Sequence, residues 1–303
     1  MGLVWLLSAC DPGGTLGVSA PGFAMPYVLA APSQRFPLHS DVEEISGITC
    51  SQDQRHLLAV QDENGVVFVL DKAKAERKAS IDFWKDGDYE GIARTGSLVY
   101  VLKNTGTLYE ISGLGLPGQE VTKYNDFLNS DFDTEGLAFD SANHRLLVAC
   151  KDSGGESGFD AFTRPVFAFD LESKALAESP AYRITREDIY AFLNAHDTLP
   201  FWSRMIDDFG PDEAKMEFNP SALAVHPFSG NLYVLSSAGK KMLLVMDPNG
   251  QILHVTKLPK AQHNQPEGLC FDAEGRMYIA NEGKGSTPPL LYMYEGTSNP
   301  NQR

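Results

Sequence analysis

The chain has 303 residues, is 43% hydrophobic and carries a net charge of −15, so it can bury one large core. Nucleic acid and anionic membrane surfaces both need a basic footprint, which an acid excess of this size disfavours. The charge suits a protein that gathers cations, and equally a solvated exposed domain.

The N-terminus opens on an apolar run, Leu3 to Leu7, that ends in Leu7-Ser8-Ala9-Cys10 and gives way to Asp11-Pro12-Gly13-Gly14-Thr15-Leu16-Gly17. The run is too short to span a bilayer. It is similar to a bacterial lipobox, in which the signal peptide is cut before Cys10 and that Cys carries the lipid. On this basis residues 1–10 are a lipoprotein signal peptide, 11–30 a flexible linker, 31–296 the folded domain and 297–303 a disordered tail. The expected location is the bacterial cell envelope, with the protein tied to a membrane through Cys10 and facing the periplasm or the exterior. A monomer is expected.

From residue 44 onward one short phrase recurs. It reads Glu44-Ile45-Ser46-Gly47-Ile48, Asp88-Tyr89-Glu90-Gly91-Ile92, Asp133-Thr134-Glu135-Gly136-Leu137, Asn219-Pro220-Ser221-Ala222-Leu223 and Gln265-Pro266-Glu267-Gly268-Leu269, at steps of 44, 45, 86 and 46 residues. A period in the mid-forties means one supersecondary unit copied several times. After each phrase comes a second apolar run, such as Leu98-Val99-Tyr100-Val101-Leu102, then a third beyond a Gly-containing turn, such as Val66-Val67-Phe68-Val69-Leu70. These β-branched and aromatic runs, bounded by Gly, Asn, Asp and Pro, predict strands joined by hairpins. A more polar fourth run, for example Glu76 to Ile81, closes several units. Four antiparallel strands repeated radially make an all-β β-propeller, here with five blades, or six if the long step hides a degenerate one. Ser33 to Leu38 supplies the fourth strand that the last unit lacks. The long step is read as a helical insertion near 185–217: Thr185-Arg186-Glu187-Asp188 resembles a capped helix start, and Ile189, Phe192 and Leu193 follow at helical spacing. Phe201, Trp202 and Met205 continue the excursion.

In such a blade the start of the first strand and the end of the second share one face. That places Ser46, Glu90, Glu135, Ser221 and Glu267 around the channel mouth. Period-two alternation adds Glu44, Asp88, Asp133, Asn219 and Gln265. The second-strand ends contribute Asp62, Glu63, Lys103, Asn104, Lys151, Asp152, Ser236, Asn281 and Glu282. Carboxylates crowded around a narrow channel take up protons, pair with lysines or hold a hard cation. Calcium, with six to eight oxygen ligands in loose geometry, fits ligands drawn from several blades. The candidate metal ligands are Glu90, Glu135, Glu267, Asp88, Asp133 and Glu44; the remaining mouth residues are candidates for a small anionic ligand. A structural role for the glutamates, paired with Lys103 or Lys151, stands beside the metal reading.

Cys50, Cys150 and Cys270 each sit in or at the end of an apolar strand run, and an odd count without paired spacing argues for buried small hydrophobes over a disulfide framework or a zinc site. Gly113, Gly115 and Gly118 have the spacing of a dinucleotide fingerprint, but Pro117 interrupts it and a strand follows.

The ordered set Ser46-Gly47, Glu90-Gly91, Glu135-Gly136, Ser221, Glu267-Gly268 resembles the SdiA-regulated family, the YjiK-like and calcium-regulated β-propeller proteins, over about residues 31 to 296. Ala222 stands where that family has Gly. The resemblance implies an extracytoplasmic, membrane-attached propeller linked to calcium physiology; it supplies no catalytic residue. Two functions follow. The first is a lipid-anchored module binding calcium, a small anion or a protein partner, in envelope calcium homeostasis or signalling. The second is a calcium-dependent hydrolase of phosphate esters or lactones, phytase-like or esterase-like, with Glu90, Glu135 or Glu267 as ligand or general base and Lys103 and Lys151 holding phosphate.

Overall fold

A computed structural model describes residues 17–125, 128–155, 159–196 and 203–297. Cys10, the expected signal peptide that ends at it, Phe201, Trp202 and residues 298–303 lie outside the described residues. Two short strands come first, β1 (Gly17–Ser19) and β2 (Gln34–Pro37). The first blade is β3 (Ile45–Cys50), β4 (His56–Gln61), β5 (Val66–Asp71) and β6 (Arg77–Asp82). The second is β7 (Tyr89–Thr95), β8 (Leu98–Lys103), β9 (Leu108–Ser112) and β10 (Glu120–Tyr124). The third is β11 (Thr134–Asp140), β12 (Arg145–Cys150) and β13 (Thr163–Asp170), edged by β14 (Ala175–Leu176) and β15 (Tyr182–Thr185). Helices α1 (Arg186–His196) and α2 (Ser203–Asp207) intervene. The fourth blade is β16 (Phe218–Val225), β17 (Leu232–Gly239), β18 (Met242–Met246) and β19 (Ile252–Lys257). The fifth is β20 (Pro266–Phe271), β21 (Met277–Asn281) and β22 (Leu290–Tyr294), completed by β2 from the far end of the chain.

Five antiparallel sheets thus form a five-bladed β-propeller. The long step between the third and fourth phrases holds a helical insertion and a broken outer strand, since β14 and β15 both pair with β13. Thr185 caps α1 as its sequence foretold: its Oγ accepts from the Asp188 amide at 3.0 Å and donates to the Asp188 carboxylate at 2.6 Å. Ile189, Phe192 and Leu193 are the buried face of that helix.

The core lies between neighbouring sheets. Second strands are covered on both faces, so their sequences are continuous apolar runs, not alternating ones; Leu57, Tyr100, Leu147, Val234 and Ile279 are fully buried. The outer strand β6, by contrast, is exposed along most of its length and reads Arg-Lys-Ala-Ser-Ile-Asp, the charged composition that keeps a free edge from pairing with another chain.

Residues 17–30 correct the expected linker. β1 adds a fifth strand to the fourth blade, pairing Val18 with Val255. Tyr27 and Leu29 are 2% and 1% exposed, and the Tyr27 hydroxyl donates to the Gly275 carbonyl at 2.6 Å. Val18 joins one core cluster, and Tyr27 and Leu29 another between the last two blades.

Candidate functional site

The recurring phrase marks the same irregularity in every blade. Pairing between the first two strands slips between Ile45 and Gly47, Tyr89 and Gly91, Thr134 and Gly136, Pro220 and Ala222, and Pro266 and Gly268. Ser46, Glu90, Glu135, Ser221 and Glu267 are therefore the extra residues of five β-bulges, a device that re-aims one side chain out of the strand's alternation. The small residue that follows serves the ring. A Cβ on Gly47 would come 3.0 Å from the Cα of Gly91, one on Gly91 2.9 Å from the amide of Leu137, and one on Gly136 3.2 Å from the amide of Leu223. Each glycine lets its strand press against the next.

The bulged residues divide into two kinds. Ser46 donates to the Tyr89 carbonyl at 2.5 Å and Ser221 to the Pro266 carbonyl at 2.7 Å. Both acceptors immediately precede a bulged glutamate of the next blade, so the serines, expected as ligand-binding groups, tie the ring together. Glu135 and Glu267 are buried, and Glu90 is half-buried. Burial, the Glu135 charge and the Asp88 carboxyl push the Glu90 carboxyl up to about 11. Burial and then the charges of Glu135 and Glu282 raise Glu267 well above the ordinary carboxylate range, against a hydrogen bond from Ser237. Burial lifts Glu135 to about 7 even though Lys151 holds it in an ion pair.

The ends of the second strands meet this ring as expected. The amides of Asp62, Asn104, Lys151 and Glu282 bond the carbonyls of Glu44, Asp88, Asp133 and Gln265 in four equivalent places. Glu44, Asp88, Asp133 and Gln265 lie just ahead of their strands, and the bulge separates them from the glutamates, which corrects the simple alternation. Glu44 and Glu63 are exposed on the rim, as is Asp152. Burial and the charges of Glu44 and Asp88 move Asp62 up to about 6, and burial with Asp62 and Glu44 moves Glu282 up to about 7. Asp88 is bonded by the Asn104 amide, and Lys151 reaches Asp133 at 3.7 Å. Lys103 lies close to Gly87 on the same face.

Asn219 departs from expectation. The buried Arg164 forks onto its Oδ1 at 3.0 and 2.8 Å, and its amide nitrogen donates to the Met216 carbonyl at 3.2 Å. Its oxygen is spent on a guanidinium that sits outside the repeated phrases, where sequence periodicity gives no signal. Ser237, the extra residue of a second bulge opposite Asn219 and Pro220, is the other mouth residue that the phrases do not reveal.

Among the described residues, five buried side-chain polar atoms have no hydrogen-bond partner: Asp62 Oδ1, Asn104 Oδ1, Gln262 Oε1, Glu267 Oε2 and Asn281 Nδ2. Four of the five belong to this mouth, three of them oxygens. Among the described residues no three or more His, Cys, Asp or Glu side chains are grouped so as to hold a metal ion together. A cavity of about 740 Å³ opens on the same face between the first and fifth blades, lined by Glu43, Glu44, Gln61, Glu63, Glu282 and Lys284. At the opposite mouth a cavity of about 550 Å³ is lined by Ile48, Cys50, Arg94, Leu137, His226 and Cys270 among others.

Residues 209–295 match the SdiA-regulated family model. The match spans the fourth and fifth blades, with the Ser221 and Glu267 phrases, and agrees with the resemblance carried by the ordered set of all five. Among solved structures the chain is similar to glutaminyl cyclase from Myxococcus xanthus at 16% identity and a TM-score of 0.55, over 88% of this chain and 95% of that one. It is also similar to a gluconolactonase from Xanthomonas campestris at 14% identity and a TM-score of 0.47, over 83% and 72% respectively. At these identities the likeness is one of fold.

Proposed function

We propose that this protein is a lipid-anchored, extracytoplasmic binding module that takes up calcium at the acidic mouth of its channel, in envelope calcium homeostasis or signalling. The observation that carries the proposal is the set of orphaned oxygens on Asp62, Asn104 and Glu267 beside the other crowded carboxylates. Buried polar atoms without a partner call for water or an ion, and oxygen donors of this kind suit a hard cation. Glu90, Glu135 and Glu267 would supply the central carboxylates, with Asp62, Asn104 and Asp88 beside them. Glu44 and Asp133 stand further out. The loose geometry that calcium accepts matches ligands carried by separate blades. An anion is the poorer occupant, because Lys151 already answers Glu135 and Asp133.

Titrating the purified protein with calcium chloride in a calorimeter should give saturable binding that a chelator abolishes. Calcium at about 100 times Kd should add roughly 2.7 kcal/mol of stability. No heat and no shift in melting temperature at millimolar calcium would end the calcium reading. The anchor rests on the lipobox-like sequence. Cys10→Ala should move the protein from the membrane pellet to the soluble fraction; an unmutated protein that is already soluble after lysis would refute it.

A further inference from the structure

Cys50 ends β3 and Cys270 lies in β20, the innermost strands of the first and last blades. These strands are neighbours around the channel at the place where the ring closes. A Cβ on Gly268 would come 3.1 Å from Cγ1 of Ile48. Two residues further along both strands, on the same faces, stand Cys270 and Cys50. Both side chains are 5% exposed and belong to one apolar cluster with Leu57, Ala280 and Leu291. Both are free thiols in this structure. Both also line the 550 Å³ cavity at the mouth opposite the carboxylates, which gives a small reagent a route to them.

We propose that Cys50 and Cys270 form a disulfide that locks the first blade to the last, a covalent counterpart to the β2–β22 pairing that closes the ring through hydrogen bonds. The oxidant is an external disulfide, R–S–S–R. The Cys50 thiolate attacks one of its sulfurs and R–S⁻ leaves; Cys270 then gives up its proton, attacks the Cys50 sulfur and expels the second R–S⁻. The two leaving thiolates take up the two protons, so two protein thiols are oxidised and one external disulfide becomes two thiols. The order of attack follows the surroundings. The hydrogen bond from Cys270, with the nearby Lys72 and Arg94 charges, holds the Cys50 thiol low against its burial, whereas burial pushes Cys270 up. A thiol kept low in an electropositive, reachable place is the reactive one. Cys150 lies elsewhere, on β12, where burial raises its thiol, and it serves as the internal control.

The test is independent of the calcium reading. The purified protein is incubated with oxidised glutathione, unfolded in a maleimide, digested and mapped by mass. The expected result is a cross-linked peptide pair containing residues 50 and 270, with Cys150 alkylated. A melting temperature on the order of 5–10 °C above that of the reduced sample should accompany it, and Cys270→Ser should abolish that difference. Alkylation of both Cys50 and Cys270, or glutathione adducts on them without a cross-link, would overturn the proposal. Mapping of the unmutated protein decides the matter even if the variant folds poorly.

Discussion

Gly91→Ala is expected to lower the melting temperature by roughly 2–6 °C, although it adds a single methyl group to a buried strand. The new Cβ would sit 2.8 Å from the Cβ of Leu137 and 2.9 Å from its backbone nitrogen. Backbone cannot swing aside as a long side chain can, so the second blade must move away from the third. Overpacking of this kind costs about 1–3 kcal/mol, occasionally more. In a closed ring the displacement has nowhere to dissipate, because every blade is held between two others. Ala222 provides the control. The fourth phrase already carries a Cβ at the equivalent position, buried at 5% exposure, so Ala222→Gly should cost only about 0.5–1 kcal/mol through chain entropy. Thermal denaturation of both variants in chelator separates the two effects. Equal melting temperatures for Gly91→Ala and the unmutated protein would mean that the inner strands do not approach as closely as described.

The architecture was legible because propeller blades repeat, and repetition survives in the sequence as a period. The bulges were not, because a bulge is a property of pairing, and Ser46 and Glu90 look alike in a phrase until their partner strands are known. That is why alternation put Glu44 and Asp88 on the same side as the bulged residues, and why the serines were expected to bind a ligand when they bond the next blade's backbone. Arg164 escaped for another reason: β13 runs on beside an insertion that occurs once, so no second copy flags it. Residues 17–30 read as a linker because Gly17, Pro21, Gly22 and Pro26 break any strand or helix period, yet Val18, Tyr27 and Leu29 are enough to fasten the segment. Cys50 and Cys270 are far apart in sequence, and no spacing rule brings together two strands that become neighbours only when the ring closes.

Replacing Glu90 and Glu267 together by glutamine should make the calcium-free protein more stable above neutral pH and blind to calcium. In an unfolded chain glutamates titrate near 4.3. In the folded ring burial raises both groups, helped by Glu135 and Asp88 at Glu90 and by Glu135 and Glu282 at Glu267, and takes Glu90 to about 11. The folded state therefore binds more protons than the unfolded one, and stability must fall as pH rises. It is highest below the unfolded value and declines through about 6 for Asp62, about 7 for Glu135 and Glu282, and on towards 11 for Glu90. Glu90 alone withholds up to about 4 kcal/mol at pH 7, less what solvent screening removes at its half-buried carboxyl. Melting curves in chelator should accordingly drop between pH 5 and pH 8 for the unmutated protein and run flatter for the double variant, which keeps the shape of a protonated carboxyl without its proton demand. Calcium should reverse the trend in the unmutated protein alone, since cation and protons compete for the same oxygens and the cation gains as protons leave. A melting temperature indifferent to pH, or a double variant that calcium still stabilises, would mean that the bulged glutamates are not where the cation binds. The opposite signs of the two effects are the signature of a site whose carboxylates cost stability until a cation occupies it.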